Sequence, residues 1–138
     1  MLVKAARAQC RHDMILGLGT DITEVARIQS SLEKFGDSFL HRILRPTEIA
    51  YCQKYQNPAP QIAARFAAKE AIAKAFGTGI GVELGWHDME ICRQESGAPY
   101  VVLQGRGEKL FQARQAKQLR ISLSHTSDYA TAVAVLEG

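Results

Sequence analysis

Residues 65–79 read Arg65-Phe-Ala-Ala-Lys69-Glu70-Ala-Ile-Ala-Lys74-Ala-Phe-Gly77-Thr-Gly79. Alanine is the strongest helix former, and Pro60 just upstream suits a first helical turn, so the stretch predicts one helix over 60–76. Gly77 and Gly79 stop it, because glycine adopts the left-handed conformation of a helix exit without steric penalty. Seven alanines between 63 and 75 leave little side-chain bulk, which suits a helix packed closely against its neighbours. Glu70 and Lys74 are four apart and stack along one face; a solvated pair of this kind is worth about 0.3–0.5 kcal/mol. A carboxylate and two ammoniums on so closely packed a helix can also hold a metal and phosphates.

The 138 residues suffice for one domain with a proper core and not for two. A net charge of +3 permits an acidic partner or a phosphorylated substrate, but the chain lacks the Lys/Arg clustering and interleaved aromatics of a nucleic-acid binder. Cys10, Cys52 and Cys92 are odd in number and far apart. That spacing argues against a disulfide framework and a zinc site and fits a reducing cytoplasm. No apolar run approaches a membrane span, and the N-terminus lacks the apolar core of a signal peptide. The expectation is a cytoplasmic protein whose residues 1–13 form a tail and whose residues 14–138 form one domain.

Working outward from the central helix, Ile15 to Ile22 is a short apolar run with two glycines, predicted as a buried strand in close contact with other backbone. Asp21 near its end is read either as a ligand or, with Thr23, as the cap of the next helix, a role worth about 1 kcal/mol. That helix, 24–35, shows an apolar face at Val25, Ile28, Leu32 and Phe35, with Arg27 and Lys34 on another. Short helices are expected over 38–44 and 47–55, and a loop over 57–60. Beyond Gly79 the pattern predicts a hairpin of strands (87–94 and 99–103), a helix over 105–117, and a second hairpin (120–125 and 129–136) with His125 at its turn. The order gives an α+β fold with helices packed on one side of a mainly antiparallel sheet.

Three segments taken together, Gly19-Thr-Asp21-Ile-Thr-Glu-Val-Ala-Arg27-Ile28, the 65–79 stretch and Ile121-Ser-Leu-Ser-His125-Thr, closely resemble the holo-[acyl-carrier-protein] synthase family, the small bacterial 4′-phosphopantetheinyl transferases. The resemblance runs from Met14 to about Glu137. It implies that the serine hydroxyl of an apo acyl carrier protein attacks the β-phosphorus of coenzyme A, releasing 3′,5′-ADP, in fatty acid biosynthesis. It further implies Mg²⁺ held by Asp21 and Glu70, since a hard cation on a diphosphate takes one or two carboxylates with phosphate and water. Lys74 then steadies charge on the reacting phosphate. Lys69, the Gly77–Gly79 turn and His125 fall on the coenzyme A side, with a bare helix stop as the rival reading of the glycines. The proton acceptor is open between Glu70 and a water on the metal. Arg27, with Lys34 two turns on, matches the position that reads an acidic carrier. Family members assemble as trimers with coenzyme A between subunits, so a homotrimer is expected. The competing reading is a non-catalytic module that binds acidic carrier proteins.

Overall fold

The computed structural model describes residues 14–138; the expected tail, residues 1–13, lies outside the described residues. The elements run β1 (Ile15–Glu24), α1 (Val25–Phe35), α2 (Asp37–Ile43), α3 (Pro46–Cys52), α4 (Ala59–Phe76), a 3-10 turn (Trp86–Asp88), β2 (Met89–Arg93), β3 (Pro99–Leu103), α5 (Arg106–Ala113), β4 (Gln118–His125) and β5 (Tyr129–Glu137). Among the described residues no helix is long and apolar enough to cross a membrane.

Helix α4 is the centre of the molecule, buried on nearly every side. Its alanines make this possible, because small side chains let elements approach from several directions at once. β5 lies in the middle of an antiparallel sheet ordered β1–β5–β4. The alternation of β5 turns Ala130, Ala132, Ala134 and Leu136 inward and leaves Tyr129, Thr131 and Val133 exposed. On β1 the inward positions include Gly17 and Gly19. A Cβ added at Gly17 would overlap the carbonyl oxygen of Ala75, and one at Gly19 that of Ala71. Strand and helix therefore meet backbone to backbone, as the two glycines of the strand lead one to expect.

The α+β architecture follows the sequence pattern, but the sheet comes in two pieces. β2 and β3 form a separate antiparallel hairpin. Between β3 and β4, Leu103, Phe111 and Leu119 pack onto the core, so side chains fill the place of ladder hydrogen bonds. Several boundaries also differ from expectation. β2 begins at Met89 because Asp88 accepts from the Gly85 N–H (2.7 Å) and pairs with Arg106 (3.0 Å), holding 86–88 in a tight turn. α5 ends at Ala113 because Gln115 takes a positive φ of 54° and the Ala116 N–H turns back to Phe111.

Gly19→Ala is expected to lower stability by about 1–3 kcal/mol or more, because the new methyl has only rigid helix backbone to displace. Urea denaturation measures this, and a wild-type midpoint would refute the backbone contact.

Candidate active site

The β1–α4 contact decides where the charged groups lie. Two residues past Gly19 on the same strand face, Asp21 arrives beside the C-terminal half of α4. Lys74 Nζ donates to the Thr20 carbonyl (2.9 Å) and to Asp21 Oδ1 (3.2 Å). Thr23, itself buried, donates to Asp21 Oδ2 at 2.9 Å. The cap expected at Asp21 or Thr23 is not formed: β1 runs through both, and α1 starts at Val25 without a side-chain cap. The Val25 N–H goes to the Asp128 carbonyl instead. Asp21 is thereby free of a capping duty.

Glu70 lies one turn before Lys74, yet the expected Glu70–Lys74 ion pair is absent among the described residues because Lys74 turns to Asp21. The Glu70 carboxylate, half-buried, accepts no hydrogen bond from the described residues. Burial, and then the Asp21 charge, raise its carboxyl above the ordinary range, with Lys74 opposing. Asp21 and Glu70 thus feel each other's charge, and Lys74, bonded to Asp21, offsets it only in part. Among the described residues no group of three or more His, Cys, Asp or Glu is placed to share a metal. Two carboxylates are a donor set that suits Mg²⁺, which keeps several waters and seldom sits in an all-protein cage. Lys74 retains one of its three N–H donors for an anion.

Lys69 has a different role from the one expected. It is fully buried, and its three donors go to the Ile43 carbonyl (2.7 Å), Glu48 Oε1 (2.7 Å) and the Trp86 carbonyl (3.1 Å). Glu48 in turn accepts from the Arg45 N–H (2.7 Å) and the Ile91 N–H (2.9 Å). Burial lowers the Lys69 pKa, with Glu48 pulling the other way. No donor remains for a coenzyme A phosphate, so Lys69 pins the end of α2, α3, the 3-10 turn before β2 and α4 together. The Gly77–Gly79 turn has also spent its donors. With φ of 77° and 65°, Gly77 and Gly79 donate to Lys74 and Ala73 carbonyls at 2.9 and 3.3 Å, which makes a helix exit and leaves no N–H for phosphate.

His125 is exposed and lies across the sheet from Asp21. Its register partner on β5 is Ala130, whereas Asp21 pairs with Ala132 from the opposite edge, so two strand spacings and two residues along the strand, roughly 12 Å in all, separate them. One protomer does not bring His125 to the Asp21–Glu70–Lys74 group. Arg27 and Lys34 are exposed on α1, and neither is in an ion pair among the described residues.

One residue escaped the sequence reading. Arg65 is 1% exposed, yet its Nε and Nη1 have no hydrogen-bond partner among the described residues. The guanidinium lies 4.2 Å from the centroid of the Tyr51 ring, and both line a cavity of about 340 Å³ with Lys54, Cys92 and Arg93. The available signal was a single arginine among the alanines of a buried helix.

The model of the 4′-phosphopantetheinyl transferase superfamily matches residues 17–134. The chain belongs to that superfamily. It is 48% identical over 124 residues to the holo-[acyl-carrier-protein] synthase of Koribacter versatilis, covering 90% of this chain and 99% of that one. The fold matches the crystal structure of holo-[acyl-carrier-protein] synthase from Neisseria meningitidis with a TM-score of 0.85 at 35% identity, over 91% of this chain and all of that one. It also matches the Helicobacter pylori synthase in complex with coenzyme A, with a TM-score of 0.78 at 35% identity, over 86% and 98% of the two chains. Against this phosphopantetheinyl transferase background, the Asp21–Glu70–Lys74 group is the candidate reaction centre.

Two measurements separate structural from chemical charges. Lys69→Met strands the buried Glu48 carboxylate and should cost about 3–5 kcal/mol in urea denaturation, with partial recovery in the Glu48→Gln background. Glu70→Gln should do the reverse in metal-free protein. Because the fold raises the Glu70 pKa, the native state is penalised above the folded pKa and relieved as the pH falls toward the unfolded value, about 4.3. The variant should therefore be more stable than wild type at pH 7, and the gap should close on acidification. A less stable variant at pH 7 would mean that Glu70 is held by a favourable partner.

Proposed function

We propose that this chain transfers 4′-phosphopantetheine from coenzyme A to a serine of an apo acyl carrier protein, releasing 3′,5′-ADP. The observation that carries this is the convergence of Asp21, Glu70 and Lys74 where β1 crosses α4, in a superfamily of phosphopantetheinyl transferases. Mg²⁺ bound by Asp21 and Glu70 supplies Lewis-acid neutralisation of the diphosphate. The chain's own groups do the rest. The serine Oγ–P bond forms as the P–O bond to the 3′,5′-ADP phosphate breaks, and Lys74, held by Thr20 and Asp21, aims its remaining N–H at the charge that shifts onto the leaving phosphate. Asp21 is engaged by Thr23 and Lys74. Glu70 completes the carboxylate pair that would hold the ion, and the serine proton passes either to Glu70 or to a water of the site.

Arg65 contacts a coenzyme A phosphate remote from the reacting diphosphate. Five residues before Glu70 on α4, it lies about 7.5 Å along the helix and well round its circumference. Its unpaired buried guanidinium is expensive unless an anion arrives. Arg27 and Lys34, two turns apart on one exposed face, receive an acidic carrier protein through charge complementarity.

The chain works as a homotrimer. Leu18, Ile22, Val133 and Tyr129 share the outer face of the three-stranded sheet and are 43–64% exposed, an apolar patch that none of the described residues covers. Asp21 and His125 sit on opposite edges of that sheet. Assembly through the outer face would bring the histidine edge of one copy toward the carboxylate edge of another.

Incubation with coenzyme A, Mg²⁺ and an apo acyl carrier protein should give a carrier heavier by one phosphopantetheine in mass spectrometry. Glu70→Gln should slow this by about 100-fold or more, the scale of losing one preorganised electrostatic contact. An unmodified carrier across several carrier proteins would refute the proposal.

A further inference from the structure

We propose that Tyr51 is a positioning residue for coenzyme A binding: its ring holds the Arg65 guanidinium facing the cavity between α3, α4 and β2. The inference rests on the reading of Arg65 as a phosphate contact. A buried guanidinium ordinarily takes its orientation from a carboxylate or from carbonyls. Arg65 has neither at Nε or Nη1, and no carboxylate pairs with it among the described residues. What it does have is the face of Tyr51, with its Cζ 4.2 Å from the ring centroid, well inside the range of a cation–π contact.

The ring is itself held. Tyr51 lies on α3, half-buried, and its hydroxyl is 3.0 Å from that of Tyr55 one turn on, with the two rings tilted at 56°. Lys54 and Arg93 lie 5.9 and 5.8 Å from the same ring centroid. An aromatic face can steady a guanidinium without neutralising it or occupying its N–H groups, which a carboxylate would do. The arrangement keeps Arg65 oriented with Nε and Nη1 unpaired among the described residues, so a small shift of the side chain toward the cavity would let them donate. It also gathers Arg65, Lys54 and Arg93 round one cavity whose one carboxylate, Glu90, is already engaged by Arg45, Thr47 and Gln104, so an arriving phosphate monoester relieves the cations' mutual repulsion.

Coenzyme A titrated calorimetrically into the full chain, with steady-state transfer kinetics beside it, tests this. Tyr51→Phe keeps the ring and should bind coenzyme A within about twofold of wild type. Tyr51→Leu and Tyr51→Gln remove it and should weaken binding by about three- to thirtyfold, the range of a desolvated cation–π contact, through KM for coenzyme A with kcat held. Arg65→Met should weaken binding at least as much, and Tyr51→Leu should add nothing in that background. If Tyr51→Leu and Tyr51→Gln bind like wild type while Arg65→Met binds weakly, the positioning role falls and the phosphate reading stands. If Arg65→Met binds like wild type, the phosphate reading falls. If Tyr51→Phe is as weak as Tyr51→Leu, the Tyr55 hydrogen bond is responsible and the ring is not.

Discussion

The contact on which everything else rests is the meeting of β1 and α4 without intervening side chains. Gly17 and Gly19 lie against the Ala75 and Ala71 carbonyls so closely that even a methyl has no room. A strand held that near a helix cannot slide, since each residue of slip would reverse its inward and outward faces. Asp21, on the inward face just beyond the second glycine, inherits this precision, and Lys74 reaches both the Thr20 carbonyl and the Asp21 carboxylate. The alanines of β5 continue the same economy of bulk across the sheet. Packing that is tight and chemically bland thus fixes the distance between residues 53 positions apart.

The ionised side chains of α4 fall into two kinds. Lys69 has three acceptors for three donors, and Glu48 is engaged on both oxygens. A buried charge so fully satisfied has no capacity left for a ligand and serves to tie elements together. Glu70 and Arg65 are the opposite case among the described residues: a carboxylate without a donor, and a guanidinium whose Nε and Nη1 lack an acceptor. Each makes the empty protein less stable than it need be, and such unmet demand is the physical mark of groups that await an external partner.

That distinction also explains what the letters could reveal. Alanine content, the glycine stop and the two alternating hairpins are local signals, and they were enough to locate α4, most strands and the α+β class. Asp21, Glu70 and Lys74 stand out in the letters because they fall within the two longest motifs, and the structure places Lys74 against Asp21. Lys69 was misread because its partners come from residues 26, 21 and 17 positions away, and adjacency to Glu70 gave no hint of them. The Gly77–Gly79 donors were misread for a related reason: whether an N–H is free depends on the cap, and glycine spacing does not report that. Arg65 went unnoticed because its significance is an absence of partners, which only a packed structure displays.

The sheet carries one more consequence. β5, in the middle, is hydrogen-bonded on both sides, while β1 and β4 form the two edges and bear Asp21 and His125 respectively. No rearrangement within a protomer can bring those edges together without breaking the ladder between them. If both side chains serve one coenzyme A, the only way that leaves the sheet intact is for two copies to share the molecule. The exposed Leu18, Ile22, Val133 and Tyr129 lie on the face through which such copies would meet. Burying that apolar face would then stabilise a small domain and complete its site through the same contact.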